Sequence, residues 1–278
     1  MQILLALGAS LSFGVADLAG GLASRRVSAV RVVALSHVTG MAVALGVALV
    51  EGSPMTDAVG LGWGAAAGVA GGAGLAVLYH AIATTRVAVA APAATLFGAL
   101  VPILFGVAIG ERPSGLAWTG IALALPAVGL ISIVRSDDAK GSAARSLGLG
   151  IVAGVGFGLF GILISRTADA DGMWPLVAAR GASILLMAGV ALVATRGIGV
   201  GGTAARYSLV TGVLDMAANV LFLAAARRGP LALAAIVTSM APAWTIGLAR
   251  FALGERIRRI QLAGLGLAAG ALVLIGLG

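Results

Sequence analysis

The feature that most constrains this chain is a run of about 20 apolar residues that keeps recurring. That length crosses about 30 Å of hydrocarbon as a helix. Ten such segments are read, at approximately 3–23, 30–50, 58–80, 87–109, 115–134, 146–166, 173–195, 207–226, 231–252 and 260–278. Short breaks such as "SRRVS", "EGSPMTD", "GERPS" and "RSDDAKGSAARS" separate them. The chain is 60% hydrophobic and 10% charged, against about 25% charged in a soluble domain. No water-soluble core hides that much apolar surface. The spacing predicts an all-α integral membrane protein: ten transmembrane helices, connectors too short for a soluble domain, and the cell membrane as its place. The first segment has no basic start, carries an Asp and lacks a small-x-small cleavage site, so it reads as a helix rather than a signal peptide.

The net charge of +8 is no nucleic-acid footprint. Its Arg residues sit singly or in pairs between apolar runs, where membrane-protein loops carry them. The absence of Cys excludes disulfides and Cys-ligated metal, and no metal or cofactor motif is read. Glycine is 43 of 278 residues, about twice the usual share of 7%. In lipid, helices associate where small residues let backbones approach. "GWGAAAGVAGGAG" (62–74) and "GLGIVAGVGFG" (148–158) read as such packing faces.

The chain also repeats itself. "GER" stands at 110–112 and again at 254–256. The same offset carries Phe13-Gly14 onto Phe157-Gly158, Gly120 onto Gly264 and Leu130-Ile131 onto Leu274-Ile275. One gapless offset across both halves indicates duplication, with repeats at 1–135 and 146–278. Each half holds five segments. Five is odd, so the second copy enters the membrane in the opposite sense. That predicts two inverted five-helix repeats, with a substrate site near the midplane between them.

With these features the chain resembles the EamA family of the drug/metabolite transporter superfamily. The five-plus-five segments, "GER" after the fourth and ninth, and the closing "LAGLGLAAGALVLIGLG" carry the resemblance, which spans essentially the whole chain. It implies export or exchange of small metabolites such as amino acids, nucleobase-like compounds or drugs.

Polar residues inside the segments are costly in lipid and are functional candidates by default. The alternative for each is a pairing that only holds helices together. Let side A be the face where the first segment begins. Counting 1.5 Å per residue puts Arg180 about 10 Å below side A, Asn219 about 10 Å and Asp215 about 16 Å. Asp215 and Asn219 are four apart and share one helix face. A buried pair of Arg180 with Asp215, and Asn219 as third partner, follows. An Arg and an Asp facing one cavity suit a zwitterion, one for its carboxylate and one for its ammonium. Trp244 lies deep in the ninth segment, where it faces either a ligand or the core. Asp17 and His37 lie about 9 and 10 Å from side B, so the count sets them level. They are candidates for a proton relay. Their copies under the offset, and that of Asp215, are Gly161, Gly181 and Gly71. Packing was copied while polar groups were placed one by one. Pro92, Pro102, Pro126, Pro175 and Pro242 are candidate bending points.

Three function classes compete. A membrane-embedded enzyme needs a catalytic set, and only two His exist, neither in "HExxH". The third class is a channel or a purely structural membrane protein; a channel wants a ring-like filter, which a two-fold repeat does not supply. A secondary transporter of an amino-acid-like or drug-like molecule fits best. No ATP-binding motif is read, so its energy comes from an ion or substrate gradient, possible protons included. Thirteen Lys and Arg follow odd-numbered segments and four follow even-numbered ones. The positive-inside rule then puts both termini outside, whereas the resemblance implies both inside.

Overall fold

The structure is a computed structural model that describes residues 1–52, 54–55, 57–108, 110, 114–132, 142–195, 197–228, 234, 237–241, 244–245, 247–248 and 259–277. Among these residues there is no strand. The helices are α1 (Gln2–Ser24), α2 (Ala29–Glu51), α3 (Ala58–Thr84), α4 (Val87–Ala108), α5 (Gly115–Ser132), α6 (Ala143–Ile164), α7 (Trp174–Thr195), α8 (Gly202–Ala226) and α9 (Arg259–Leu277). They match nine of the ten apolar segments to within a few residues, and α9 is the tenth. Most of the ninth segment, with Pro242, Glu111 and Arg112 of the first "GER" and the whole of the second, lies outside the described residues. Seven helices among the described residues are long and apolar enough to cross a membrane, which makes this a multi-pass membrane protein.

Helix ends follow local chemistry. Asp57 caps α3 by accepting from the Gly60 N–H at 2.8 Å, and Ser142 caps α6 by accepting from the Arg145 N–H at 3.1 Å. Each satisfies a donor that the first turn leaves unpaired. Pro92 and Pro102 lie inside α4 and Pro126 inside α5. Pro175 is the second residue of α7, where no helical hydrogen bond is lost. It is therefore no bending point.

The packing repeats itself across the bundle. α1 lies along α8, and α3 along α6. α2 lies along α8, and α3 along α7. Exchanging every helix with the one five segments later converts each of these contacts into its mate. The α2–α7 and α5–α9 contacts map onto themselves. α6 packs on α4 through Gly158, whose added Cβ would meet Val101 Cβ at 2.5 Å. The offset copy of that contact is Gly14 of α1 against the ninth segment, where Thr245 Oγ1 donates to the Gly14 carbonyl at 3.0 Å.

Close approach of backbones explains the glycines. A Cβ on Gly64 or Gly68 of α3 would fall on the backbone of Pro175 or Ala179 of α7. One turn further, a Cβ on Gly72 would fall on the Ser183 side chain. The i, i+4 series thus lets α7 lie against α3 for three successive turns. Gly212, the offset copy of Gly68, admits the Ser36 carbonyl of α2 in the same way.

A dry cluster closes side B. It joins Ala23 of α1, Val32 and Val33 of α2, Leu78, Tyr79 and Ile82 of α3, and Val87 of α4. Tyr79 is 0% exposed and its ring occupies the notch left by Gly20. Tyr79 is therefore core, while its neighbour His80 is exposed.

Candidate functional site

A cavity of about 630 Å³ lies between the two halves. Its volume is in the range of small-molecule sites. Toward side A it is lined by Phe105 and Gly106 at the end of α4 and by Ser165 and Arg166 just past α6. Ser165 and Arg166 are exposed, so this is the mouth. Toward side B it ends at Asp17, His37, Leu75, Arg180 and Asp215, above the dry cluster.

The polar floor is built around one guanidinium. Arg180 of α7 makes an ion pair with Asp215 of α8. Its other terminal nitrogen lies 2.7 Å from His37 Nε2 on α2. A guanidinium has donors only, so Nε2 must accept. That leaves the proton on Nδ1, which donates to Ser183 Oγ at 2.7 Å. Asn219 Nδ2 donates to the Asp215 backbone carbonyl at 2.7 Å and to its carboxylate at 3.4 Å, the reach of an i, i+4 pair on one helix face. The amide oxygen is what Asn219 still offers to the cavity. All five residues are buried; Arg180, the most exposed, is at 9%.

Sequence and structure agree on Arg180, Asp215 and Asn219, which form the triad that depth counting set together. They part on His37. It does not pair with Asp17, because α2 packs against α7 and α8 and both ring nitrogens are taken by Arg180 and Ser183. The count put His37 and Arg180 at different depths, yet the two side chains meet. Asp17 lines the same floor and makes no hydrogen bond or ion pair among the described residues. Thr211 Oγ1 of α8, donating to the Ala16 carbonyl at 3.3 Å, fastens α1 beside it. Trp244 is not at the cavity. The ninth segment meets α1 through the Cβ of Trp244 at the Gly14 notch, which turns the indole outward, 42% exposed.

Two parts of the site escaped the sequence reading. Ser183 fixes the His37 tautomer; its signal was the i, i+3 spacing from Arg180 in "ARGAS". The second part is aromatic. Phe13, Phe105, Phe157, Phe160 and Phe222 all line the cavity, five of the six Phe among the described residues. Phe13 and Phe157 are offset copies, so the repeat supplied one wall from each half.

A family model described as the EamA-like transporter family matches residues 1–133 and again 144–277. No curated protein matches the sequence significantly. One solved crystal structure is similar with a TM-score of 0.66 at 17% identity, covering 96% of this chain and 95% of that one. At that identity the likeness shows the fold alone.

Proposed function

The chain belongs to the EamA-like transporter family, within the drug/metabolite transporter superfamily, and from that premise we propose that it is a secondary transporter working by alternating access. It exports a small molecule, drug-like or amino-acid-like, from the cell through its own membrane. The repeats 1–135 and 146–278 act as inverted five-helix halves of ten spans in all, rocking about the site between them. The observation that carries this reading is the shape of the cavity: open at side A, floored by buried charge, and closed at side B by apolar packing. A channel would run through, and a structural protein has no use for the cost of placing Asp17, Arg180 and Asp215 at that depth. Arg180, Asp215 and Asn219, proposed as the substrate-binding residues, form the polar floor against which the substrate rests.

Asp17 is the proton-coupling residue. His37 serves as a neutral acceptor that orients Arg180, since its one ring N–H and its lone pair are already committed. This revises the relay pair to a single carboxylate. Trp244 has no role at the site.

The test is uptake into proteoliposomes of a panel of amino acids and organic amines, with and without a pH gradient. Saturable, gradient-stimulated uptake of at least one class is expected. Uptake that rises linearly with concentration for every compound, and equals that of empty liposomes, would defeat the proposal.

A further inference from the structure

Among the described residues, five ionisable groups line the cavity: Asp17, His37, Arg166, Arg180 and Asp215. Arg180 and Asp215 cancel as an ion pair, and His37 is held neutral by its two partners. Arg166 stands at the exposed mouth, stacked over the Phe105 ring at 5.4 Å, where water screens it. Asp17 is left as the carboxylate without a counter-charge among the described residues. Asp17 is half-buried at the cavity floor, at a membrane depth where an unpaired charge is costly, so that position calls for a cation from the cavity or a proton. Above it, Phe13, Phe157, Phe160 and Phe222 supply aromatic faces. The Phe160 ring is let in by Gly71, whose added Cβ would meet it at 2.9 Å. Aromatic faces around an acidic floor are the environment that attracts ammonium groups.

We infer that the cavity takes an organic ammonium ion, a protonated amine or quaternary ammonium with an apolar body, whose charge sits at Asp17 while its body lies among the phenylalanines. This rests on the cavity being the transport site and names its substrate class. It displaces the zwitterion expected from sequence. Arg180 was to bind the carboxylate, but its charge is matched by Asp215 and its terminal nitrogens are engaged on two sides. A carboxylate entering this floor would meet Asp17 with no free cation at the floor, among the described residues, to offset it.

Equilibrium binding of radiolabelled benzyltrimethylammonium to the purified full chain in detergent tests the inference. Phenylalanine, phenylacetate and neopentylbenzene serve as competitors. They keep the aryl group while making the head zwitterionic, anionic or neutral, and neopentylbenzene replaces only the nitrogen by carbon. Saturable binding of the cation is expected, with each competitor weaker by about tenfold or more. Asp17→Asn should weaken cation binding by about tenfold or more. Phe157→Leu and Phe160→Leu, which keep an apolar side chain and serve if Asp17→Asn does not fold, should each weaken it by about threefold to thirtyfold. Those Phe variants should leave competition by neopentylbenzene less affected.

Absence of saturable cation binding overturns the inference. So does phenylalanine or phenylacetate competing as well as unlabelled cation, or cation binding unchanged in the Asp17 and Phe variants. The transport reading fails separately. If the cation binds as expected but proteoliposomes do not move it, the ligand class stands and transport falls. If proteoliposomes carry phenylalanine and exclude the cation, transport stands and the class falls.

Discussion

His37 Nε2 lies 2.7 Å from the guanidinium of Arg180, 143 residues further along the chain and in the other half of the bundle. With Asp215 on the far side of the same guanidinium, one side chain ties α2, α7 and α8 together at the depth where the cavity ends. Every group in this knot has a definite hydrogen-bonding sense. Arg180 only donates, His37 Nε2 and Asp215 accept, and His37 Nδ1 donates to Ser183.

Arg180→Gln is expected to destabilise the protein by about 3–5 kcal/mol, since it strands the Asp215 carboxylate in a low-dielectric interior. Thermal unfolding in detergent reads this. The swapped double variant, Asp215→Arg with Arg180→Asp, restores the ion pair but sets a carboxylate against the acceptor nitrogen of His37. It should recover part of the lost stability and none of the substrate binding. Full recovery of both would show that the pair is only a strut.

Glycine spacing makes a second prediction, with an internal control. Gly68→Ala puts a methyl on the Ala179 carbonyl oxygen, and α7 must move. A loss of about 1–3 kcal/mol is expected, with weakened substrate binding because Arg180 rides on the same helix. Gly46 of α2 has nothing within 4 Å of an added Cβ. Gly46→Ala should be neutral or stabilising by up to about 1 kcal/mol. Equal effects from the two substitutions, in the same unfolding assay, would contradict the packing described.

The bundle was legible because its determinants are local. Segment length, glycine spacing and the offset shared by Phe13-Gly14 and Phe157-Gly158 are all written along the chain. The Arg180, Asp215 and Asn219 grouping was legible for a similar reason: depth is counted residue by residue, and i, i+4 fixes a face. What depth cannot give is azimuth. Asp17 and His37 lie at similar depth on adjacent segments, yet the rotation of α2 turns the imidazole toward α7. Trp244 is deep as well, and the Gly14 notch alone decides that it faces out. The phenylalanine wall stayed hidden because Phe is ordinary in membrane helices. Only the convergence of α1, α4, α6 and α8 makes five of them neighbours.

Asp17→Asn gives the third prediction. The variant keeps the shape of the floor and removes the carboxylate that a proton and a cation would share. Flux in proteoliposomes is expected to become independent of an imposed pH gradient, with residual flux lower than in the wild type. His37→Gln supplies the contrast: its amide can accept from Arg180, so gradient dependence should survive. Retained gradient dependence in Asp17→Asn, or its loss in His37→Gln alone, would move the coupling site away from Asp17.

The last prediction concerns which end of the cavity opens and when. The chain has no native cysteine, so single cysteines report cleanly. Ser165 is exposed at the mouth, and Leu78 is 2% exposed within the cluster that closes side B. In the state described, a membrane-impermeant maleimide added at side A should label Ser165→Cys quickly, while Leu78→Cys resists reagent from either side. Alternating access requires the opposite state to exist. A transported cation should therefore lower labelling of Ser165→Cys and raise labelling of Leu78→Cys from side B, the two yields moving in opposite directions. Yields that rise together would describe an open channel, and yields that ignore ligand would describe a fixed scaffold. Sidedness follows from a reporter fused at Gly278, since the ten spans expected from the sequence would return the chain to side A. Thirteen basic residues in side B connectors against four in side A connectors predict an active exoplasmic phosphatase there, so that the mouth at Ser165 faces outward. Cytoplasmic fluorescence from that fusion would reverse the assignment and make the same cavity open to the cell interior.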